Sequence, residues 1–241
     1  LRGDHPRHAN ASRRRASRGV IRAALIDLDG TLLDTAPDLA AAANATLVEL
    51  GMRQIDAGKV REFIGKGISA LVRCCLESAL ERAPDEQLFD SALDRFALHY
   101  ERLNGTASRL YPGVEEGLAA MRARGLRLAC VTNKASRFTD PLLAATRLAS
   151  YFDQVVTSDR AGQRKPDPGP FLFACRALGV VPSEAAVIGD SANDAEGGRR
   201  AGCRVLLVPY GYREGQDVRS IDCDAIVASL IDAANLLSLQ S

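Results

Sequence analysis

Two carboxylates two residues apart, Asp27 and Asp29, stand at the end of the apolar run Ala24, Leu25 and Ile26, and Gly30 and Thr31 follow them. An apolar run that ends in a turn reads as a buried parallel strand. On extended backbone, residues two apart point to the same side, so both carboxylates enter one small volume at the strand's carboxyl end. Like charges held that close persist only beside a cation, a proton or a bound ligand. Gly30 permits a sharp turn, and Thr31 adds a hydroxyl and an amide. The set suits metal-assisted chemistry on a phosphate group.

Three later stretches carry matching chemistry. Thr132, Asn133 and Lys134 follow an apolar run at 126–131; a hydroxyl and amides at a strand end can donate to phosphoryl oxygens, although taken alone Thr132 reads as a helix cap. Lys165 lies in the run Arg164, Lys165, Pro166, Asp167, Pro168 and is either a solvated loop lysine or the cation that neutralises Asp27 and a transferring phosphoryl group. Asp190 ends the apolar run 185–188, and Asp194 stands four residues on. Capping would explain Ser191 or Asn193 but not Asp190, which is assigned as a metal ligand; Asp194 is a second ligand or a partner for Lys165. An anion attacking a phosphate ester must overcome charge repulsion, so a site needs positive charge, donors and in-line positioning. Hard carboxylate oxygens favour Mg²⁺ as the cofactor.

The elements that must position these residues are legible from periodicity. Leu39, Ala42, Ala43, Leu47 and Leu50 share a helical face that Gly51 ends. A second helical pattern starts near Lys59, breaks at Gly65, Lys66 and Gly67, and resumes at 70–80; a third covers 85–103, and no strand is expected at 37–108. Beyond Tyr111 helix and strand alternate, with helices at 114–123, 138–147, 171–178 and 193–201 and strands at 126–131, 154–157, 185–188, 204–208 and 224–227. Alternation of this kind predicts an α/β fold, a Rossmann-like parallel sheet with helices on both faces and an all-helical insertion. Ligands of such sheets sit at the carboxyl ends of the strands, where Asp27, Thr132 and Asp190 all fall.

Composition bounds the rest. With 241 residues, 46% apolar and 25% charged, and a net charge of +1, the chain is a globular protein with no global electrostatic case for nucleic acid or a membrane surface. Six scattered cysteines without zinc-like pairs fit a reducing cytoplasm, and charges interrupt every apolar segment before a membrane-spanning length. Residues 1–19 hold six arginines and one acid and read as a disordered basic arm. The expected partner is a small phosphorylated metabolite, and the expected state is monomer or homodimer.

All four stretches, in this order and each at the end of an apolar run, resemble the motifs of the haloacid dehalogenase superfamily. The likeness extends from about Val20 to the C-terminus. Within it, APDLAAAAN, FIGKG, YPGV, VTNK, RKPDP, GDSANDAEGGRRAG and PYGY resemble the bacterial phosphoglycolate phosphatase family. Ala135 and Arg213 depart from it, where a proline and an asparagine are usual.

The resemblance implies that Asp27 is the nucleophile forming an aspartyl-phosphate and Asp29 the acid and base. It makes Thr132 and Lys165 the further catalytic residues, and Gly30, Asn133 and Lys66 substrate contacts. Mg²⁺ would be held by Asp27, the Asp29 carbonyl, Asp190 and Asp194. It further implies a core of 20–35 and 109–241 under a helical cap of 36–108 that chooses the substrate, 2-phosphoglycolate. Lys66 between two glycines would meet a substrate carboxylate or be an exposed turn residue, with Arg61 and Arg73 as further cap candidates. The rivals are another small phosphate such as a sugar phosphate or N-acetylmuramic acid 6-phosphate, a phosphomutase, and a non-catalytic phosphometabolite-binding regulator.

Overall fold

The computed structural model describes residues 20–212 and 215–238; the basic arm at 1–19 and Arg213 lie outside them. The chain runs β1 (Ala23–Ile26), β2 (Leu33–Asp34), α1 (Ala36–Glu49), α2 (Ala57–Glu62), α3 (Ile68–Leu80), α4 (Glu86–Leu103), β3 (Arg109–Leu110), α5 (Val114–Ala123) and β4 (Arg127–Val131). It continues through α6 (Ser136–Ala145), β5 (Gln154–Val156), α7 (Ser158–Ala161), α8 (Gly169–Leu178), β6 (Ala185–Gly189), α9 (Ala192–Ala201), β7 (Arg204–Leu207), β8 (Ala225–Ile226) and α10 (Leu230–Ser238).

Six strands form one sheet in the order β5-β4-β1-β6-β7-β8, and every pairing within it is parallel. The chain builds outward from β1 to β5, then returns to β1's other side at β6. The reversal beside β1 is where open α/β sheets leave a crevice for ligands.

The strands read as unbroken apolar runs because both faces are covered. Ala24 and Ile26 face one core with Cys130 and Ile188, roofed by Leu118 of α5, Leu142 of α6 and Leu230 of α10. Ala23 and Leu25 face the opposite core with Val131 and Val187, under Phe171 of α8 and Ala195 of α9. Burying each leucine or isoleucine contributes about 1.5–3 kcal/mol, and a slip of one residue would turn Asp27 away from the crevice.

Helices α1 to α4 pack round Leu39, Leu47, Val60, Leu71, Phe96 and Tyr100, and Phe138 and Tyr212 join this cluster from outside it. Among the described residues no strand lies between β2 and β3. The Asp56 carboxylate accepts the Gly58 amide at 2.8 Å to start α2, and Asp85 accepts the Leu88 amide at 2.8 Å to start α4. Between α2 and α3, Gly65 and Gly67 take φ of 139° and 88°, values outside the right-handed helix, so the helical pattern breaks where the glycines predict.

Three features are absent from the sequence reading. β2 and β3 form an antiparallel ribbon, Leu33 opposite Leu110 and Asp34 opposite Arg109; two residues per strand are too few to show alternation. Beside it, the buried Asp38 of α1 accepts the amides of Gly105, Ala107 and Ser108 at 2.8, 2.7 and 3.0 Å. The Thr106 and Ser108 hydroxyls also donate to it, at 3.1 and 2.5 Å. The four-residue α7 is the third. The helix expected at 138–147 instead covers Ser136–Ala145, and Arg147 turns the chain with φ of 59°.

Candidate active site

Asp27 follows β1 directly, its amide held by the Ile188 carbonyl at 2.9 Å, so its carboxylate is fixed at the sheet's carboxyl edge. Lys165 reaches the same spot from the loop before α8. Its ammonium donates to Asp27 Oδ1 at 2.5 Å, Asp194 Oδ1 at 2.7 Å and the Val131 carbonyl at 2.9 Å. Burial opposes the charge on Lys165, but Asp194 and Asp27 outweigh it and hold the ammonium well above the ordinary lysine range. Asp27 is pushed up to about 7, by burial first; Lys165 opposes that shift, and Asp194 and Asp29 add to it.

Asp190 ends β6. Thr31 Oγ1 donates to its Oδ1 at 2.9 Å, and the backbone amide of Tyr212 donates to its Oδ2. Burial, then Asp27 and Asp194, raise its carboxyl well above the ordinary range. A Cβ on Gly30, whose φ is 95°, would lie 2.9 Å from the Asp190 carboxyl carbon. Gly30 thus serves the close approach of the first turn to Asp190. Asp194 completes the group from α9, its Oδ2 accepting the Ser191 hydroxyl at 2.7 Å and the Ser191 amide at 3.3 Å.

One oxygen each from Asp27, Asp190 and Asp194 lie within 4.8 Å of one another. Ionised together, three carboxylates against the single Lys165 ammonium would leave two negative charges in a buried space, which a divalent cation with a preference for oxygen would balance. The donor set therefore fits Mg²⁺. The side chain of Asp29 is not in this group; it belongs to Lys134, whose ammonium lies 2.7 and 3.0 Å from its two oxygens, and to Thr35 Oγ1 at 2.6 Å.

The cavity over these groups has a volume of about 50 Å³; Asp27, Asp29, Thr132, Lys134, Lys165 and Asp190 line it from the sheet, and Leu39, Ile64, Gly65, Gly67, Ile68 and Leu71 line it from the helices. Asn133 also lines it but spends its side chain on the frame. Its Nδ2 donates to the Gly65 and Lys165 carbonyls, both at 3.0 Å, and its Oδ1 accepts the Lys165 amide at 2.8 Å. Thr132 Oγ1 accepts the Lys134 amide at 3.2 Å. Lys66 is exposed between its two cavity-lining neighbours. Arg61 grips Asp34 at 3.0 Å, and Arg73 lies at 4.0 Å over the Phe89 ring on the helical surface.

Sequence reasoning missed Lys134 as a site residue, and Tyr212 too. Lys134 has only its place behind Thr132 and Asn133 to signal it, and Tyr212 sits in the run Tyr210, Gly211, Tyr212, beyond the last of the four stretches that carry the chemistry. Both are buried in the structure.

A parallel sheet with a carboxylate pair at its central strand, a buried lysine and two more carboxylates on the neighbouring strand and helix defines a class of hydrolase. Residues 24–208 match the family model described as haloacid dehalogenase-like hydrolase, and the chain belongs to that family. It is 51% identical over 92% of its length to the phosphoglycolate phosphatase of Nitrosospira multiformis, 97% of which is covered. It is 46% identical to that of Thiobacillus denitrificans over 90% of this chain and 96% of the relative. A solved structure described as a predicted phosphoglycolate phosphatase from Haemophilus somnus superposes with a TM-score of 0.86 at 31% identity, covering 90% of this chain and 98% of that one. The chain is accordingly a phosphoric monoester hydrolase, a phosphatase. No helix among the described residues is long and apolar enough to cross a membrane.

Proposed function

We propose that this phosphatase hydrolyses 2-phosphoglycolate to glycolate and phosphate with Mg²⁺ through an aspartyl-phosphate on Asp27. The observation that carries the reading is the Lys165 ammonium bonded to Asp27 Oδ1 at 2.5 Å beside Asp190 and Asp194. Asp27, the Asp29 carbonyl, Asp190 and Asp194, the last directly or through water, would hold the ion, which supplies positive charge to the phosphoryl oxygens and lowers the repulsion between nucleophile and substrate.

An Asp27 oxygen attacks phosphorus, and the bond from phosphorus to the glycolate oxygen breaks. Asp29 delivers its proton to that leaving oxygen. The resulting Asp29 carboxylate then takes a proton from water, whose oxygen attacks the phosphoryl group and frees phosphate and the Asp27 carboxylate. Lys165 spreads charge from Asp27 and the equatorial oxygens, and the Thr132 hydroxyl and the Asn133 backbone amide donate toward them. The amide of Gly30 is committed to the Leu33 carbonyl at 2.9 Å, so Gly30 shapes the turn and does not donate. Segment 36–108 is the cap over a core of 20–35 and 109–241, and Lys66 is its cation for the substrate carboxylate. The two names among the relatives and the small cavity support a small acidic phosphate. The six thiols, all free, support a cytoplasmic location.

The test is phosphate release with and without Mg²⁺ on 2-phosphoglycolate, sugar phosphates, N-acetylmuramic acid 6-phosphate and a phosphonate. The expected result is a kcat/KM for 2-phosphoglycolate far above the rest and loss of activity in EDTA. A sugar phosphate ahead by orders of magnitude would overturn the substrate.

A further inference from the structure

Tyr212 joins two parts of the molecule that the reaction must bring together. From the loop after β7, its backbone amide donates to Oδ2 of Asp190. From the same residue, the phenol reaches the place where the chain leaves the sheet for the helical segment. Its oxygen accepts the amides of Thr35 and Ala36 at 2.7 and 2.9 Å and donates to Asp34 Oδ1 at 2.6 Å. Three bonds on one buried hydroxyl saturate it, so the loop and the first turn of α1 are fixed to each other.

The helical segment holds the same point from its far side. Arg61 of α2 binds both oxygens of Asp34 at 3.0 and 3.2 Å and the Tyr111 hydroxyl at 3.2 Å. Its guanidinium carbon lies 4.6 Å from the centre of the Tyr212 ring, a distance at which a cation is held by the ring's face. Asp34 belongs to β2, and Tyr111 follows β3, so Arg61 and Tyr212 clasp both passages between helices and sheet. A second grip comes from Tyr210, whose hydroxyl donates to the Thr31 carbonyl at 3.1 Å, while Thr31 Oγ1 donates to the other Asp190 oxygen.

We propose that Tyr212 is a positioning residue that couples closure of the helical segment to the readiness of Asp190 for the metal. Opening the segment would pull the amides of Thr35 and Ala36 from the phenol. The released loop then no longer holds Asp190 Oδ2 through the Tyr212 amide. Conversely, a cation on Asp190 stiffens the loop and with it the hinge. The inference rests on the metal reading above, in which Asp190 is a ligand.

Tyr212→Phe tests it, since it keeps the ring and the amide and removes only the hydroxyl, which touches no carboxylate of the metal group. Two readouts are needed, both with Mg²⁺ alone: its affinity by calorimetry, and hydrogen exchange at the Thr35 and Ala36 amides. In the unaltered protein Mg²⁺ slows exchange at both amides. In Tyr212→Phe that protection is lost, and Mg²⁺ binds about threefold to tenfold more weakly, a fraction of the effect of losing a direct partner of a ligand. Asp34→Asn, which removes the carboxylate that accepts from the phenol, should move both readouts in the same direction if Tyr212→Phe folds poorly. Unchanged Mg²⁺ affinity in a folded variant, or a fall in melting temperature alone, overturns the coupling and leaves the metal reading standing. No Mg²⁺ binding by the unaltered protein overturns both.

Discussion

The ammonium of Lys134 closes on both carboxylate oxygens of Asp29, at 2.7 and 3.0 Å, with the Tyr100 ring 5.0 Å from the same nitrogen. The group proposed to carry the proton is therefore held by a buried cation that the helical segment covers. Lys134→Met should lower kcat by about tenfold to hundredfold, because an acid and base out of position loses much of a contribution that spans about 10²–10⁴. Placed in an Asp29→Asn background, the same substitution should cost almost nothing further. Additive losses would mean that Lys134 acts on the substrate and not through Asp29.

Asp27→Asn removes the nucleophile with little change of shape, and turnover should fall by at least about a thousandfold. Its melting temperature without metal should equal or exceed that of the parent, since one of three mutually repelling carboxylates is gone. Thermal unfolding in EDTA checks this; a clear fall would mean that the Lys165 bond outweighs the repulsion.

Asp38 ties α1 to the chain returning at 105–108. Burial raises its carboxyl, but the Ser108 hydroxyl and the amides of Ala107 and Gly105 outweigh it and hold the pKa below 3.8. A depressed folded value gives stability that is fully present above the unfolded pKa and lost as pH falls through the folded one. Asp38→Asn should cost about 2 kcal/mol near neutrality, roughly 4–8 °C in a chain of this size. The gap between variant and parent should close in acid, below pH 3.8, and a gap independent of pH would contradict the assignment.

Lys66 lies between Gly65 and Gly67, which line the cavity, and Arg164 reaches the same loop, with Nη1 3.6 Å from where a Cβ on Gly67 would lie. A charge-assisted bond to a substrate carboxylate contributes about 1.5–3 kcal/mol. Lys66→Met should therefore lower kcat/KM for 2-phosphoglycolate by about tenfold to hundredfold and leave p-nitrophenyl phosphate nearly unchanged. If Arg164→Met shows that selective loss and Lys66→Met does not, the carboxylate belongs to Arg164.

The sheet was legible because strands covered on both faces leave unbroken apolar runs, and Asp27, Thr132 and Asp190 each end one. The helical segment was legible from its spacing and from Gly65 and Gly67. What the sequence hid depends on contacts between distant positions. Lys134 meets Asp29 across 105 residues, and Tyr212 meets Thr35 across 177, so no local pattern announces either. The side-chain amide of Asn133 ties Gly65 to Lys165, contacts 68 and 32 residues apart that no local pattern announces. The ribbon of β2 and β3 is shorter than any periodicity could reveal.

That ribbon bears on how such a molecule could come to vary. Leu33 faces Leu110 and Asp34 faces Arg109, so the two ends of everything from α1 to α4 emerge side by side. An excursion whose ends are already neighbours imposes little on its host, and its length enters only weakly into the entropy of joining them. The helices can be lengthened, shortened or exchanged for another lineage's version while β1, β4 and β6 keep their pairing. Selection for a new substrate can then act on one exchangeable piece of chain while Asp27, Lys165 and Asp190 stay where they are.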